Sequence, residues 1–227
     1  MPINNYNGDT FVAFLDISGF KELMRNEKKA WKALDRLYQQ GYEILRHTDN
    51  VCRVEGIFIS DSGVLFVRRN NQTTPSTSEC FKSLLTMIKG INERMREHDF
   101  MLTTSIAYGK IRYQERIEFE GIEKNPIYGN AYISAFLDNE NRTPKIRPGQ
   151  CRIVKENLPD DVVETLDQRQ NDEIFRMIRG RDGDNKHYYY YWMRNDPAEI
   201  EGFEQEYNDA FNLKYAGMLK ALKGNRQ

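Results

Sequence analysis

The sequence of 227 residues predicts an α+β fold in which helices pack against a mostly antiparallel sheet. Three features support this prediction. A short, nearly continuous apolar run at 11–18 is typical of a strand buried on both faces. The β-rich runs 51–60 and 63–69 are separated by little more than Asp61 and Ser62, which indicates a tight hairpin. Apolar residues at helical spacing lie before and after this hairpin.

The first half of the chain alternates strands with long helices. Gly19 ends the first strand, and one long helical pattern then covers 20–45. After the hairpin, a polar stretch that contains Pro75 predicts a loop. The periodic segment 81–95 predicts a second amphipathic helix, and 101–117 predicts a strand that continues into another.

The second half of the chain contains shorter elements. Segment 128–139 has a helical pattern, and 152–155 and 158–166 predict a short strand and a short helix. Two β-rich runs then flank a Gly-Arg-Asp-Gly-Asp segment, which indicates another hairpin. The tyrosines 188–191 are expected to alternate, with two rings inward and two at a dimer or helix face. One apolar stripe across 203–222 predicts a single C-terminal helix.

Composition and charge argue against several classes of protein. The formal net charge of −1 indicates no general binding to nucleic acid or to a membrane surface. The polar N-terminus has no apolar core of a signal peptide, and no apolar run approaches the roughly 20 residues of a membrane span, so we expect a cytoplasmic protein. We expect reduced, buried thiols and no zinc site, because no histidine lies near a cysteine pair. The cysteines are Cys52, Cys80 and Cys151.

Asp16 lies at the end of the first predicted strand, within the segment Phe-Leu-Asp-Ile-Ser-Gly-Phe. The turn that follows leads into a helix, and the free amides at a helix N-terminus bind phosphate. We therefore expect Ser18, Gly19 and Phe20 to form a phosphate-binding turn. A carboxylate beside it would repel a bare phosphate, but together with a divalent cation it suits a nucleoside triphosphate. The alternative is that Asp16 merely satisfies a turn.

Asp61 supplies a second acid at the tip of the predicted hairpin, whose strands would flank the first strand. An aspartate in a β-turn is ordinary by itself, so the evidence lies in the pair of acids. Carboxylates from two separate strands suit a pair of Mg²⁺ or Mn²⁺ ions about 3.5–4 Å apart. One such ion would lower the pKa of an attacking hydroxyl, and the other would neutralise the charge of a triphosphate.

Five segments, in order along the chain, resemble motifs of the class III nucleotide cyclases. Residues 14–20 resemble the first metal-binding motif of that family. Residues 59–66 resemble the second, with Ser60 where a glycine usually stands. The other three segments resemble the strand that ends in glycine, the helix that begins at a Gly-x-x-Val-Asn motif, and the strand after that helix. They are 105–109, 128–135 and 149–154.

The resemblance covers roughly residues 10–160 and implies a ferredoxin-like class III cyclase domain. It implies a catalytic domain at 1–170, with a hairpin and helix at 171–227 that complete or extend it. The implied reaction closes a nucleoside triphosphate to a 3′,5′-cyclic monophosphate and releases pyrophosphate. The resemblance also implies two Mn²⁺ or Mg²⁺ ions per site, and a head-to-tail homodimer with composite sites. The implied catalytic residues are Asp16 and Asp61, and the implied metal ligands are Asp16, Ile17 and Asp61.

The sequence departs from the family where the base and the ribose are bound. Family adenylate cyclases read adenine with a Lys and an Asp, and these positions are Ile57 and Pro126 here, which cannot hydrogen-bond a purine edge. The Asn that orients the ribose and the Arg that stabilises the transition state fall on Ile133 and Leu137. Their loss would normally remove several kcal/mol of transition-state stabilisation. Candidates for the missing Arg are Arg112, Arg116 and Arg142.

The chain length, the helix that begins at Gly129 and the metal pair resemble the pyrimidine cyclases of bacterial Pycsar anti-phage defence. That resemblance implies a small homodimeric enzyme that makes cyclic UMP or cyclic CMP, which a separate effector protein reads. Neither nucleic acid nor membrane is implied as a partner. Two alternatives stay open. One is a catalytically degenerate nucleotide-sensing domain, and the other is an adenylate cyclase with atypical base recognition.

Overall fold

The computed structural model describes residues 4–46, 52–69, 75–114, 117–119, 122–123, 126–141, 143–168, 172–211 and 214–224. The strands are β1 (Tyr6–Ile17), β2 (Cys52–Ile59), β3 (Ser62–Arg69), β4 (Leu102–Tyr113), β5 (Ile117–Phe119), β6 (Ile122–Glu123), β7 (Ile127–Tyr128), β8 (Cys151–Val154), β9 (Ile178–Arg181) and β10 (Asp184–Tyr190). The helices are α1 (Phe20–Leu23), α2 (Glu27–Arg46), α3 (Thr77–Glu97), α4 (Asn130–Asn141), α5 (Asp160–Asp167), α6 (Ile200–Phe211) and α7 (Lys214–Lys223).

Eight strands form one sheet, in the order β2-β3-β1-β4-β8-β10-β9, with β7 paired to β4. Strands β4 and β8 run parallel. The other pairs in this sheet are antiparallel. Strands β5 and β6 form a separate two-stranded hairpin. This confirms the predicted α+β fold with a mostly antiparallel sheet, and it places β1 at the centre between β3 and β4.

Strand β1 is buried on both faces, as its apolar run predicts. Phe11 and Leu15 belong to the larger core cluster, to which α2 and α3 also contribute. Val12 and Phe14 point to the other face and pack in a smaller cluster with two alanines of α4. The rings of Phe14 and Phe136 meet edge to face, with centroids 5.2 Å apart. Helix α4 therefore lies over the second face of β1.

Two predicted single helices are each two helices, so those predictions are wrong. The first helix is interrupted because the side chain of Asn26 accepts a hydrogen bond from the Lys29 amide and caps a new helix. In the C-terminal segment, the Tyr207 hydroxyl lies 3.8 Å from the Met218 sulfur, 11 residues further along. A continuous helix would separate them by about 16 Å, so α6 and α7 fold back on each other. None of the described helices is long and apolar enough to cross a bilayer.

Cys52 and Cys80 form a disulfide that joins β2 to α3, with Cα atoms 5.4 Å apart. The expectation of reduced thiols is wrong for these two residues. Their separation of 28 residues in sequence gives no sign of the contact, because only the packing of α3 against the sheet brings them together. Cys151 is a free, buried cysteine, and burial raises the pKa of its thiol.

The tyrosine run alternates as predicted, with Tyr189 and Tyr191 at the face that α6 covers, where the Arg181 guanidinium lies 3.8 and 5.6 Å from the centres of their rings. Tyr188 is partly exposed, whereas Tyr189, Tyr190 and Tyr191 are all buried. Tyr191 lies beyond the end of β10, and its ring packs against Phe203 of α6 with centroids 6.2 Å apart. The C-terminal helices therefore cover rings that an isolated strand would leave exposed.

Gly129 controls the approach of α4 to β4. Its φ is +144°, and an added Cβ would lie 2.1 Å from the Lys110 carbonyl oxygen. We expect Gly129→Ala to lower the free energy of unfolding by about 2–4 kcal/mol, measured by urea denaturation. Gly180→Ala in β9 is the control, because no atom lies within 4 Å of its added Cβ. Equal effects of the two substitutions would contradict this assignment.

Candidate active site

Asp16 lies near the carboxyl end of β1 in the centre of the sheet. It pairs in register with Ser62 of β3 on one side and with Thr103 of β4 on the other. Directly opposed residues of antiparallel strands point to the same face, so these three side chains share the face that α4 covers. The Ser62 hydroxyl donates to Asp16 Oδ1 at 3.0 Å. The carboxylate is thus held at a defined point beside its two neighbours.

Asp61 lies in the turn between β2 and β3. Its carbonyl accepts a hydrogen bond from the Ile17 amide at 2.9 Å, which ties the hairpin tip to the end of β1. Ser60 precedes it with φ +55°, in the left-handed region that favours glycine. The fold therefore brings Asp16 and Asp61 together, and Ser60 takes up a backbone conformation that glycine adopts readily.

Negative charge accumulates around Asp16. Burial raises the pKa of its carboxyl to about 7, the hydrogen bond from Ser62 opposes the rise, and the charges of Asp61 and Glu140 add to it. Three carboxylates therefore influence one another at this end of β1. A cation bound here would relieve their repulsion and favour ionised Asp16.

The donor set fits a hard divalent cation. Among the residues that the structure describes, no group of three or more His, Cys, Asp or Glu side chains is arranged to hold a metal ion alone. Mg²⁺ is usually bound by one or two carboxylates together with substrate phosphates and water, so the pair of Asp16 and Asp61 suits it. The side chain of Ile17 is buried in the core on the opposite face. Its carbonyl is therefore the group that could reach such an ion.

The predicted phosphate-binding turn has fewer free amides than expected. The Ser18 amide donates to the Met101 carbonyl at 2.9 Å. Within the described chain, the amides of Gly19 and Phe20 donate to no backbone carbonyl. Because α1 has only four residues, it contributes little macrodipole. Two amides are thus left for phosphate at this turn.

A cleft of about 650 Å³ opens beside Asp16, between the last turn of α4, the loop before β8 and α7. Its polar lining includes residues that sequence reasoning did not single out. The parallel pairing of β4 with β8 brings this loop to the edge where β1 ends, and no local pattern reveals that pairing. The newly assigned residues are Asn139, Glu140, Lys145 and Arg147.

A buried charge network holds the last turn of α4 in place. Asp138 accepts hydrogen bonds from Ser105, Arg152 and His187, at 2.6, 3.0 and 2.8 Å. Burial raises the pKa of the Asp138 carboxyl, but the hydrogen bonds from His187 and Ser105 and the charge of Arg152 outweigh it and lower that pKa. Arg152 also donates to the carbonyl of Pro144. The network therefore fixes both walls of the cleft to the sheet.

The predicted base and ribose positions lie outside this cleft. Ile57 packs at the edge of the smaller core cluster, and Pro126 is partly exposed before β7. Ile133 and Leu137 point outward from α4, with 50% and 40% of their surface exposed. None of these four residues lines the cleft beside Asp16.

The structure describes one of the three residues that the sequence offers for the missing arginine. The guanidinium of Arg112 lies 5.9 Å from the centre of the Tyr128 ring, away from the cleft. Arg116 and Arg142 lie outside the described residues. Of the three candidates, the structure therefore describes Arg112, which does not line the cleft.

No protein-family model and no curated protein sequence matches this chain. Its fold is nevertheless similar to solved nucleotide cyclases. The adenylyl cyclase CyaB from P. aeruginosa superposes with a TM-score of 0.56 at 12% identity, over 83% of this chain and 96% of that one. The guanylyl cyclase domain of the RhoGC fusion protein from Blastocladiella emersonii gives 0.57 at 13% identity, over 83% and 98%.

A third structure, the guanylate cyclase domain of RhGC from Catenaria anguillulae in complex with GTP, gives a TM-score of 0.54. It is 13% identical, over 82% of this chain and 96% of that one. Likeness at such low identity shows the fold alone. The chain therefore has the α+β fold of the class III adenylyl and guanylyl cyclases, as the five motifs imply.

The raised pKa of Asp16 predicts a pH dependence of stability. Its folded pKa of about 7 lies above the unfolded value of about 3.9, so the folded chain holds a proton that the unfolded chain has released. The contribution of Asp16 to stability should therefore fall as the pH rises from about 4 to about 7 in metal-free buffer. Asp16→Asn should flatten this fall in thermal denaturation, whereas Asp9→Asn, at the exposed start of β1, should not. Identical pH profiles of wild type and Asp16→Asn would disprove the assignment.

Proposed function

We propose that this chain is a metal-dependent nucleotide cyclase that converts UTP or CTP to the 3′,5′-cyclic monophosphate and pyrophosphate. The observation that carries the proposal is the convergence of Asp16 and Asp61 at the end of the central strand of a cyclase fold. In this reaction the ribose 3′-oxygen attacks the α-phosphorus and releases its proton. The bond from the α-phosphorus to the bridging oxygen breaks, and pyrophosphate leaves.

Each part of the site has a defined task in this proposal. Asp16, Asp61 and the Ile17 carbonyl would hold two Mn²⁺ or Mg²⁺ ions. When bound, these ions lower the pKa of the attacking hydroxyl and neutralise triphosphate charge. Gly19 and Phe20 offer their amides to phosphate oxygens. Ser62 orients Asp16 through its hydroxyl, at 3.0 Å.

The pyrimidine preference rests on what the base positions lack. Ile57 and Pro126 carry no side-chain donor or acceptor, so a purine edge would lose the hydrogen bonds that other cyclases offer. An adenylate cyclase would need another polar side chain to form hydrogen bonds with the adenine edge. By its resemblance to the Pycsar cyclases, the enzyme would act in the cytoplasm in anti-phage defence and supply its product to a separate effector protein.

We assign catalysis to residues 1–170, with 171–227 completing the same domain. Strands β9 and β10 support this, because β10 pairs with β8 in the main sheet.

The outer face of α4 supports a homodimer with composite sites. Ile133 and Leu137, four residues apart, expose 50% and 40% of their surface on one side of this helix. They lie where the family carries the Asn and Arg that serve a partner's site. Apolar side chains at these positions would gain free energy from burial between two subunits. The partner's α4 would then form a wall of the nucleoside pocket.

The substrate assignment is tested with the four nucleoside triphosphates and Mn²⁺. We expect a cyclic product from UTP or CTP, detected by liquid chromatography and mass spectrometry. Asp16→Ala and Asp61→Ala should each lower turnover by at least about 100-fold, because each removes a metal ligand. Asp9→Ala, on the same strand but exposed, should retain turnover. Nucleotide binding without any product would favour the degenerate sensing domain, and cyclic AMP from ATP would favour the adenylate cyclase.

The dimer is tested by placing charge on the outer face of α4. Leu137→Asp should give a monomer in light scattering and lose most turnover, because a buried unpaired carboxylate opposes association. Trp31→Asp is the matched control, because Trp31 is 69% exposed on α2 and outside the proposed interface. A dimer that survives Leu137→Asp but dissociates with Trp31→Asp would place the interface elsewhere.

A further inference from the structure

Two buried polar groups in the cleft beside Asp16 have no hydrogen-bond partner in the described chain. They are Asn139 Nδ2 and Ser18 Oγ. Asn139 is 5% exposed and Ser18 is 4% exposed, and both line the cleft. A buried polar group without a partner costs about 1–3 kcal/mol, so native folds seldom leave one unless another molecule satisfies it. Two such groups in one cleft are available to bind a ligand.

The position of Asn139 relative to Asp16 follows from the sheet register. Thr103 pairs with Asp16 across β4 and β1, on the face under α4. Its hydroxyl donates to Asn139 Oδ1 at 2.9 Å, and Thr103 is itself buried. This bond uses the amide oxygen and leaves Nδ2 as a free donor. The Asn139 side-chain amide is therefore held above Thr103 of β4, the strand next to Asp16 of β1.

The lining of the cleft selects the chemistry of the ligand. Asn139 Nδ2 is a donor, Ser18 Oγ can donate, and two cationic side chains stand at the loop. Lys145 is exposed and forms no ion pair with the described residues, and Arg147 also bonds Asn208 at 2.8 Å. Such donors match an anion with several oxygen acceptors. The carboxylates of Asp16 and Glu140 in the same cleft require that this anion arrive with divalent cations.

We infer that the cleft of one subunit holds the triphosphate tail of the substrate, whose β- and γ-phosphates leave as pyrophosphate, and that Asn139 and Ser18 bind its oxygens. The inference rests on the proposed function, which it deepens by assigning the tail to residues of a single chain. The groups assigned to the tail, on Asn139, Ser18 and Lys145, lie beside Asp16 in the same cleft. The nucleoside end would then face the partner's α4, while the tail needs no partner.

Binding of inorganic triphosphate with Mn²⁺, measured by titration calorimetry, tests the inference without any turnover. Asn139→Asp keeps an oxygen for the Thr103 hydroxyl but replaces the free donor with an acceptor. We expect it to weaken binding at least tenfold, and Ser18→Ala to weaken it several-fold. Asn7→Asp makes the same charge change at the exposed start of β1 and should bind as wild type.

A second pair of variants changes exposed residues, so that the test does not depend on whether the variant at buried Asn139 folds. Lys145→Ala changes an exposed loop side chain and should weaken triphosphate binding about threefold to tenfold. Lys110→Ala, at an exposed position on β4, should have no effect. The monomeric Leu137→Asp variant should bind inorganic triphosphate as tightly as wild type.

The outcomes separate this inference from the proposed function. Wild-type triphosphate affinity in both Asn139→Asp and Lys145→Ala would overturn the inference, even if the enzyme makes a cyclic nucleotide. Loss of triphosphate binding in Leu137→Asp with its fold intact would also overturn it, because the tail would then need a partner. Binding that depends on Asn139 and Lys145 without any cyclic product would support the inference while the proposed function fails.

Discussion

The register of β1 between β3 and β4 is the constraint on which the candidate site depends. Side chains alternate along a strand, so a slip of one residue would turn Asp16 away from α4 and into the larger core. Phe14 on one face and Leu15 on the other both lie in packed clusters, which makes such a slip costly. The same register sets Ser62 and Thr103 on either side of Asp16. The core thus positions the carboxylate.

Helix α4 is positioned by contacts with β4, and its last turn forms one wall of the cleft. It starts at Gly129, against the Lys110 carbonyl of β4, and reaches Thr103 near the start of that strand through Asn139. The helix therefore runs antiparallel to β4 and towards Asp16. Asp138 anchors its last turn to the sheet by a buried network of charged and polar groups. Such a network is costly to disturb, because removal of one partner leaves an unpaired buried charge.

Two parts of α4 consequently have different surroundings. Its last turn lines the cleft of its own chain, whereas its outer face presents Ile133 and Leu137 to solvent. In the function proposed here, the inner end serves the triphosphate and the outer face serves the partner subunit. In the same proposal, the donors for the tail are Asn139 and Lys145, on the chain that also carries Asp16.

Local patterns in the sequence were sufficient for the fold class, the buried first strand, the β2–β3 hairpin and the pairing of Asp16 with Asp61. Each of these depends on side-chain periodicity or on turn residues a few positions apart. The Cys52–Cys80 bridge, the use of the Ser18 amide by Met101 and the cleft residues depend on contacts between distant segments. Only the tertiary structure decided them, because the packing of α3 against the sheet, the parallel pairing of β4 with β8 and the path of α4 leave no local signature.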